Sequence, residues 1–235
     1  MNPVDAEIRA GHLQQVLPLA FPHTPGIDVA GTVADVGPDV TGIQFGDRVV
    51  GLLPMTDNGS AADFVLASAQ VLAAAPTSIP LSDAAALPGT GLTAWQALFE
   101  HADLKAGQRI LINGAGRAVG GFAVQLAKQE GAFVLATGSA RSKDAVRAFG
   151  ADQVIDHTMA RVTDAVAEPV DAVLNVTALP PDQMSALLAL VRQAGPSSRP
   201  PGPSRRTTDV VCVSYCWTPQ RCGRARGTGR ARRPR

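Results

Sequence analysis

The sequence is poor in cysteine and tyrosine. Its 235 residues include three cysteines and one tyrosine, and all four lie after residue 195. The body of the chain, residues 1–195, therefore has neither a disulfide framework nor a thiolate metal ligand. In the remaining part, the spacing of Cys212, Cys216 and Cys222 matches no common zinc pattern.

Long apolar runs are also missing. No apolar stretch reaches about 18 residues, and no signal-peptide pattern opens the chain. We therefore expect no membrane segment and a reducing, cytoplasmic location. Hydrophobic residues nevertheless make up 46% of the chain, which is enough to build a core.

The formal net charge of +1 hides an asymmetry along the chain. Residues 1–195 carry 11 Lys and Arg against 19 Asp and Glu, whereas residues 196–235 carry ten Arg against the single Asp209. The Pro, Gly and Arg content of 196–235 predicts a disordered basic tail, interrupted by an apolar island at 210–217. Nucleic-acid binding by this tail is not expected, because it has no fold or partner motif and few aromatic side chains.

Residues 1–85 favour a β-rich domain. Short apolar runs are broken roughly every eight to twelve residues by Gly, Pro and Asp, which is typical of short strands joined by turns. After them, Ser82 is a candidate helix cap, and the glycines at 89 and 91 are predicted to open another helix. The predicted strands are 29–37, 47–51, 63–67 and 70–72.

In residues 86–195, patterns typical of strands alternate with patterns typical of helices. This alternation predicts an α/β fold with a Rossmann-like, doubly wound parallel sheet. The predicted strands are 109–113, 133–137, 153–156 and 171–176, and the predicted helices are 118–129, 143–149 and 181–193. The last of these strands would be an exposed apolar edge that invites a homodimer, unless the island at 210–217 covers it.

A glycine-rich turn lies between strand 109–113 and helix 118–129. Gly114, Gly116 and Gly120 permit a tight turn, close approach to a pyrophosphate and close packing of helix on strand. The first helical residues, Ala118 and Val119, would offer free N–H groups to an anion. The pattern favours dinucleotide binding; an ordinary strand–helix turn is the alternative, and Arg117 either reaches phosphate or points into solvent.

The end of the next strand bears on which dinucleotide is preferred. An NAD site needs an acidic residue there for the ribose diol, and residues 131–143 contain none. Ser139, Arg141 and Lys143 instead favour NADPH. In the alternative interpretation Ser142 caps the following helix, while Arg141 and Lys143 are solvated surface charges.

Five stretches occur in the order and spacing of one known family. The chain resembles a zinc-independent member of the medium-chain dehydrogenase/reductase superfamily, in its quinone oxidoreductase (zeta-crystallin-like) branch. The stretches that carry the resemblance are 2–11, 25–33, 45–49, 91–94 and 113–128.

The resemblance implies a GroES-like barrel domain followed by a nucleotide-binding domain, with substrate and cofactor held between them. We expect three parts: a GroES-like fragment at 1–85, an incomplete Rossmann-like domain at 86–195 and the tail at 196–235. The family's first barrel strands have no counterpart before residue 2, and its pattern is lost at about residue 195. An altered reading frame is the preferred explanation for the second departure.

The resemblance also bears on metal and on catalysis. Zinc-dependent members have Cys near the position of Asn2 and Gly-His-Glu where this chain has Gly26, Ile27 and Asp28, so no metal site is expected. By resemblance, Asn2 is the candidate donor to a developing oxyanion and Thr93 a candidate cofactor contact. The alternatives are a turn residue before Pro3 and an ordinary early helix residue.

Without a metal, hydride must go to a carbon activated by conjugation. The expected function is therefore an NADPH-dependent oxidoreductase acting on a quinone or an α,β-unsaturated carbonyl compound. Two alternatives stay open: an inactive family member that at most binds NADPH, and an interaction protein that acts through its basic tail.

Overall fold

The computed structural model describes residues 1–192 and the backbone of Val210–Val211. Its strands form two separate sheets, an antiparallel sheet in the N-terminal part of the chain and a parallel sheet in the C-terminal part. Short helices link the two.

The N-terminal part begins with a helix that the sequence analysis did not predict. Helix α1 spans Pro3–Arg9, and Asn2 is its N-cap residue. Proline suits the first helical position because its fixed φ is already helical and the missing N–H would have had no partner. The backbone N–H of Asn2 donates to Oδ2 of Asp5 at 2.6 Å, which satisfies a further donor at the helix start.

Three short strands form the antiparallel sheet. Strands β1 (Asp28–Thr32), β2 (Arg48–Leu52) and β3 (Leu72–Ala74) lie in the order β1-β2-β3. They follow a longer irregular segment, 10–27, in which Leu13 packs against Val4 and Ile8 of α1 in a small core.

Two strand predictions in this region are wrong. Residues 63–67 form no strand, and Phe64 and Leu66 are 80% and 98% exposed. An extended segment that neither pairs nor buries its apolar side chains gains little from strand formation. Residues Ala69–Val71 form a 3₁₀ turn, which begins where Oγ of Ser68 accepts from the N–H of Gln70.

Two helices lead into the parallel sheet. Helix α2 spans Leu81–Ala84 and begins after Pro80, so the predicted capping by Ser82 is wrong: the Ser82 hydroxyl donates to Asp83 instead. Helix α3 spans Pro88–Trp95 and continues as one π-helical segment, Gln96–His101.

The parallel sheet alternates with helices as predicted. Its strands lie in the order β6-β5-β4-β7-β8, so the direction of winding reverses between β4 and β7. The elements are β4 (Arg109–Asn113), α4 (Ala118–Gln129), β5 (Phe133–Gly138), α5 (Lys143–Ala148), β6 (Gln153–Asp156), α6 (Val162–Ala165), β7 (Ala172–Asn175), α7 (Pro181–Leu188) and β8 (Val210–Val211).

Two cores lie on opposite faces of this sheet. Ile110 and Ile112 of β4 pack on one face with α4, and Leu111 packs on the other with Leu187 of α7. Successive strand residues point to opposite faces, and both faces are covered here. The predicted fold class, a doubly wound α/β sheet preceded by a β-rich region, is confirmed.

Strand β8 pairs in parallel with Val173 and Leu174 of β7. The start of the apolar island therefore covers the edge of β7 at these two positions. The other predictions for 196–235, among them disorder, lie outside the described residues. Among the residues that the structure describes, no helix is long and apolar enough to cross a membrane.

Candidate functional site

The turn after β4 is as tight as its glycines suggest. Gly114 has a φ of 95°, in the left-handed region that glycine adopts without strain. The N–H of Arg117 donates to the carbonyl oxygen of Gly114 at 3.0 Å and closes the turn. A Cβ on Gly120 would lie 2.3 Å from that same oxygen, so the helix packs directly against the turn.

Helix α4 begins at the end of this turn with Arg117 as its N-cap. The Arg117 side chain makes no capping hydrogen bond. The N–H groups of Ala118, Val119 and Gly120 have no intrahelical acceptor, because they belong to the first turn of the helix. Together with the helix dipole, they make this end of α4 suited to a phosphate.

A cavity of about 1190 Å³ opens beside the turn, along the carboxyl ends of β4, β5, β6 and β7. We call it the strand-end cavity. Four of the predicted cofactor-binding residues line it: Gly114, Gly116, Ser139 and Arg141. Arg117 lines it too, which places this cation beside the start of α4.

Some predicted residues do not line this cavity. Ala118, Val119 and Gly120 form the first turn of α4, directly after the lining residue Arg117, and Lys143 is the first residue of α5, directly after the lining residue Ser142. Ser142 occupies the N-cap position of α5, but its side chain makes no capping hydrogen bond. Its Oγ instead accepts from the N–H of Ser139 at 3.0 Å, so the predicted capping role of Ser142 is wrong.

Two basic side chains of the cavity, those of His157 and Arg161, were not predicted from the sequence. Both lie in the loop after β6. Because the carboxyl ends of parallel strands meet at one edge of the sheet, the end of this third strand could have been included in the search.

Asp156 holds the start of that loop. Its Oδ1 accepts from the hydroxyl of Thr158 at 2.6 Å and from the N–H of Thr158 at 3.0 Å. These hydrogen bonds, with smaller contributions from the charges of His157 and Lys143, hold the pKa of Asp156 below its ordinary value. The carboxylate form therefore fixes the turn that precedes Arg161.

The site also contains a buried polar cluster at the strand ends. Asn113, Thr137 and Asn175 are 7%, 1% and 1% exposed and lie on β4, β5 and β7. Thr177, just after β7, hydrogen-bonds to two of them. Asn113, Thr137 and Thr177 also line the strand-end cavity.

Neither Asn2, the N-cap of α1, nor Thr93, which lies on α3, lines this cavity. Nδ2 of Asn2 donates to Oδ2 of Asp28 at 2.5 Å, and the N–H of Gly89 donates to Oδ1 of Asp28 at 2.5 Å. Oγ1 of Thr93 donates to the carbonyl oxygen of Gly89 at 2.7 Å. The two residues named by resemblance are therefore joined through Asp28 and Gly89.

Two family models match the chain in sequence order. Residues 1–77 match the alcohol dehydrogenase GroES-like domain, and residues 118–197 match the zinc-binding dehydrogenase domain. The chain belongs to the medium-chain dehydrogenase/reductase superfamily. This is a family of nicotinamide-dependent oxidoreductases, and the predicted membership is confirmed.

Named relatives of this family member support the quinone oxidoreductase branch. The chain is 41% identical over 162 residues to the chloroplastic quinone-oxidoreductase homolog of Spinacia oleracea, an alignment that covers 67% of this chain and 49% of the relative. It is 36% identical over 180 residues to the mitochondrial NAD(P)H oxidoreductase RTN4IP1 of Mus musculus, covering 70% and 46%. The chain thus spans about half the length of these curated relatives.

Solved structures agree with this family. An alcohol dehydrogenase superfamily protein from Novosphingobium aromaticivorans superposes with a TM-score of 0.75 at 34% identity, covering 82% of this chain and 59% of that one. The quinone oxidoreductase from Coxiella burnetii gives 0.71 at 32% identity, covering 82% and 61%.

The second family model is named for zinc, so the residues of this family member must be tested against that metal. Asn2 presents an amide that is already bonded to Asp28, and Ile27 has no ligand atom. Both carboxylate oxygens of Asp28 accept hydrogen bonds. Zinc in proteins is held by Cys, His and carboxylate ligands, and residues 1–192 contain no group of three or more such side chains that could hold a metal. These residues do not fit a zinc ion.

Proposed function

We propose that the chain is an NADPH-dependent oxidoreductase that transfers hydride to a quinone or an α,β-unsaturated carbonyl compound without a metal. One observation carries the proposal: the N-terminus of α4 follows a glycine turn at the edge of a large cavity that three arginines line. Turn, helix end and cations together suit a dinucleotide with an additional phosphate.

The residues present fit this cofactor. The first-turn N–H groups of α4 and the side chain of Arg117 would hold the pyrophosphate. Arg141 lines the cavity at the end of β5, where an NADP site needs a cation for the 2′-phosphate, and Arg161 lines it at the end of β6. Lys143 adds positive charge close to this edge, where it lowers the pKa of Asp156.

When bound, reduced nicotinamide supplies a hydride. The chain itself must therefore bind and orient the cofactor and the substrate, and stabilise the charge that develops on the substrate. One N–H of the Asn2 amide is bonded to Asp28. The second N–H is the group that would donate to an oxyanion developing on the substrate. The chain's only tyrosine, Tyr215, lies outside the described residues, so water is the proton source in this proposal.

The misfit to zinc limits the substrate. An isolated carbonyl needs a Lewis acid or a strong set of donors, whereas a conjugated acceptor delocalises the charge that hydride addition creates. Quinones and enones meet this condition. The spinach and Coxiella burnetii relatives are named for quinone oxidoreduction, which supports the same class.

A second function is favoured by the position of Asn2. Because Asn2 does not line the strand-end cavity, a chain that binds NADPH without turnover is the alternative.

The cytoplasmic location stays a prediction, since the spinach and mouse relatives carry chloroplastic and mitochondrial names. A homodimer and an interaction role for the basic tail also stay predictions.

The test begins with fluorescence titration of the full chain with NADPH and NADH. We expect saturable binding with NADPH preferred, followed by oxidation of NADPH when a panel of quinones and enones is added. Binding without oxidation across the panel would select the alternative. Absence of saturable binding by a folded chain would contradict the proposed function.

A further inference from the structure

Thr137 occupies a central place in the buried polar cluster. It lies on β5 one residue after Ala136, which pairs with Ile112 of β4, so its side chain lies beside Asn113 at the end of β4. Thr137 is 1% exposed. A buried hydroxyl of this kind needs partners, because an unpaired buried polar group is costly.

Both partners of the Thr137 hydroxyl belong to the start of the glycine turn. Oγ1 donates to Oδ1 of Asn113 at 2.9 Å and accepts from the N–H of Gly114 at 2.8 Å. The Gly114 N–H therefore points at the sheet rather than into the cavity. The turn is thus held by a neighbouring strand, and the anion-binding N–H groups are those that follow in α4.

The other side of the turn is held from β7. Nδ2 of Asn113 donates to Oδ1 of Asn175 at 2.8 Å and to Oγ1 of Thr177 at 3.1 Å. A Cβ on Gly114 would lie 2.6 Å from the methyl group of Thr177. The cluster therefore spans the point between β4 and β7 where the winding reverses, and Gly114 lies between two threonines.

We propose that Thr137 is a positioning residue that sets the phosphate-binding conformation of the glycine turn through its hydroxyl. The hydroxyl fixes the Gly114 N–H, the Gly114 carbonyl accepts from Arg117, and Arg117 is the N-cap of α4. Two hydrogen bonds, both made by the backbone of Gly114, thus connect Thr137 to the helix end. The inference rests on the proposed binding of NADPH.

The decisive variant is Thr137→Val in the full chain. Valine has nearly the same shape, but it leaves the Gly114 N–H and Oδ1 of Asn113 buried without the Thr137 hydroxyl. We expect the dissociation constant for NADPH to rise about tenfold, in line with the cost of losing a buried hydrogen-bond partner. Hydrogen exchange at the Gly114 amide, followed by NMR, should accelerate by at least about tenfold.

Two matched variants separate the hydroxyl from stability in general. Thr137→Ser keeps the hydroxyl, and its NADPH affinity should stay within about threefold of wild type. Leu135→Val removes a methylene from the same buried strand without touching the turn. It should lower the melting temperature and leave NADPH affinity unchanged. If Thr137→Val fails to fold, Thr137→Ala removes the hydroxyl without adding a methyl group beside Gly114.

The outcomes are distinct. Unchanged NADPH affinity and unchanged Gly114 exchange in the hydroxyl-free variants would overturn the inference. Equal losses in Thr137→Ser, or in Leu135→Val, would overturn it by showing that volume or global stability is responsible. If the wild-type chain binds no NADPH, the proposed function fails. Faster Gly114 exchange in Thr137→Val would then still support control of the turn by Thr137, and unchanged exchange would refute it.

Discussion

The carboxyl edge of the parallel sheet and the surroundings of Asn2 hold their functional groups in different ways. At the sheet edge, Asn113, Thr137 and Asn175 bond to one another and to the glycine turn, above strands that are buried on both faces. Around Asn2, one carboxylate, that of Asp28, joins α1, β1 and α3. A second, buried carboxylate, that of Asp5, accepts from the N–H groups of Asn2 and Gly26. The sheet edge, which we call the cofactor half, is therefore held by amide and hydroxyl groups on three strands, whereas the surroundings of Asn2, which we call the Asn2 half, are held by two carboxylates.

The N-terminal half is also the more exposed of the two. Its strands are three to five residues long, and Phe45, Phe64 and Leu66 are 76% or more exposed. Strands β4 and β7 bury almost all of their residues. We therefore expect changes in the two halves to affect different properties, and the following variants test that separation.

The largest effect is expected from Gly120→Ala. The added methyl group would lie 2.3 Å from the oxygen of Gly114 and 2.7 Å from Cα of Ala115, both in the backbone. We expect the free energy of unfolding to fall by about 3 kcal/mol and NADPH affinity to fall more than about 100-fold, as measured by urea denaturation and fluorescence titration.

Gly91→Ala is the matched control for that substitution. Gly91 lies inside α3, and a Cβ there would meet no atom within 4 Å. Alanine should raise the free energy of unfolding by up to about 1 kcal/mol, because it is the better helix former. If Gly120→Ala binds NADPH as tightly as wild type, the turn can move away from the helix, and the cofactor half is not rigid.

A smaller effect, and one on stability rather than binding, is expected from Asp28→Ala. The amide of Asn2 and the N–H of Gly89 would each lose an acceptor. The free energy of unfolding should fall by about 2 to 3 kcal/mol, while the dissociation constant for NADPH should change by less than about threefold.

Asp35→Ala is the comparison for Asp28→Ala, since Asp35 is exposed and accepts from the N–H of the next residue. Its free energy of unfolding should stay within about 0.5 kcal/mol of wild type. A loss of NADPH affinity in Asp28→Ala as large as that in Gly120→Ala would show that the two halves are coupled.

The double variant Arg141→Ala, Lys143→Ala should act within the cofactor half alone. We expect NADPH to bind about tenfold more weakly while NADH affinity stays unchanged, because the charge-assisted hydrogen bond from Arg141 to the 2′-phosphate and the nearby positive charge of Lys143 are lost. Competitive titration with both dinucleotides measures the ratio. Arg147→Ala is the control, because Arg147 pairs with Asp144 on the same helix and does not line the cavity. An equal loss for NADH would refute this assignment of the two cations.

The smallest effect concerns Lys128 and Asp152, near the start of β6. Partial burial raises the pKa of Asp152, but the hydrogen bonds from Lys128 and from the N–H of Val134, with the charge of Lys128, outweigh it and hold that pKa below its ordinary value. A lowered folded-state pKa stabilises the protein above the unfolded value, and this contribution is lost as pH falls through the folded value.

Lys128→Met should therefore reduce the free energy of unfolding by about 0.5 kcal/mol near neutral pH. The difference from wild type should shrink below about pH 4, where Asp152 begins to protonate in the unfolded chain. Denaturation at a series of pH values measures it. Lys105→Met, which removes an exposed pair with Asp103, should show a smaller difference. A gap that widens in acid would contradict the direction given for the pKa.

The parts of the fold that were predicted correctly share one property. In 109–129 the apolar run is buried on both faces and the helix has a single apolar stripe, so local pattern and tertiary environment agree. The prediction was wrong where the local sequence pattern and the tertiary environment of a segment disagree. Residues 63–67 look like a strand but have no strand to pair with in the described chain, and helix α1 was missed although Asn2, Pro3 and Asp5 are typical start signals.

The site could be predicted in part for a similar reason. Gly114, Gly116 and Gly120 are close in sequence, and their spacing carries the signal. Thr137 and Asn175 join the turn across 24 and 62 positions, and Asp28 reaches Gly89 across 61. Such contacts follow from strand order and register, which local periodicity does not contain.

The dipeptide Asn113–Gly114 has a consequence for how the protein ages chemically. Asparagine followed by glycine tends to deamidate, because the glycine nitrogen attacks the side-chain carbonyl to form a cyclic imide. In this turn the Gly114 N–H is bonded to Thr137, and the Asn113 amide is buried and bonded on both sides. Asn58–Gly59 is the same dipeptide, and it is also hydrogen-bonded: the Gly59 N–H donates to the carbonyl oxygen of Thr24 at 2.7 Å, and Oδ1 of Asn58 accepts from the N–H of Thr24 at 2.9 Å. Its asparagine side chain, however, is exposed. Because Asn113 is buried and Asn58 is exposed, aspartate and isoaspartate should form in stored protein more slowly at position 113 than at position 58.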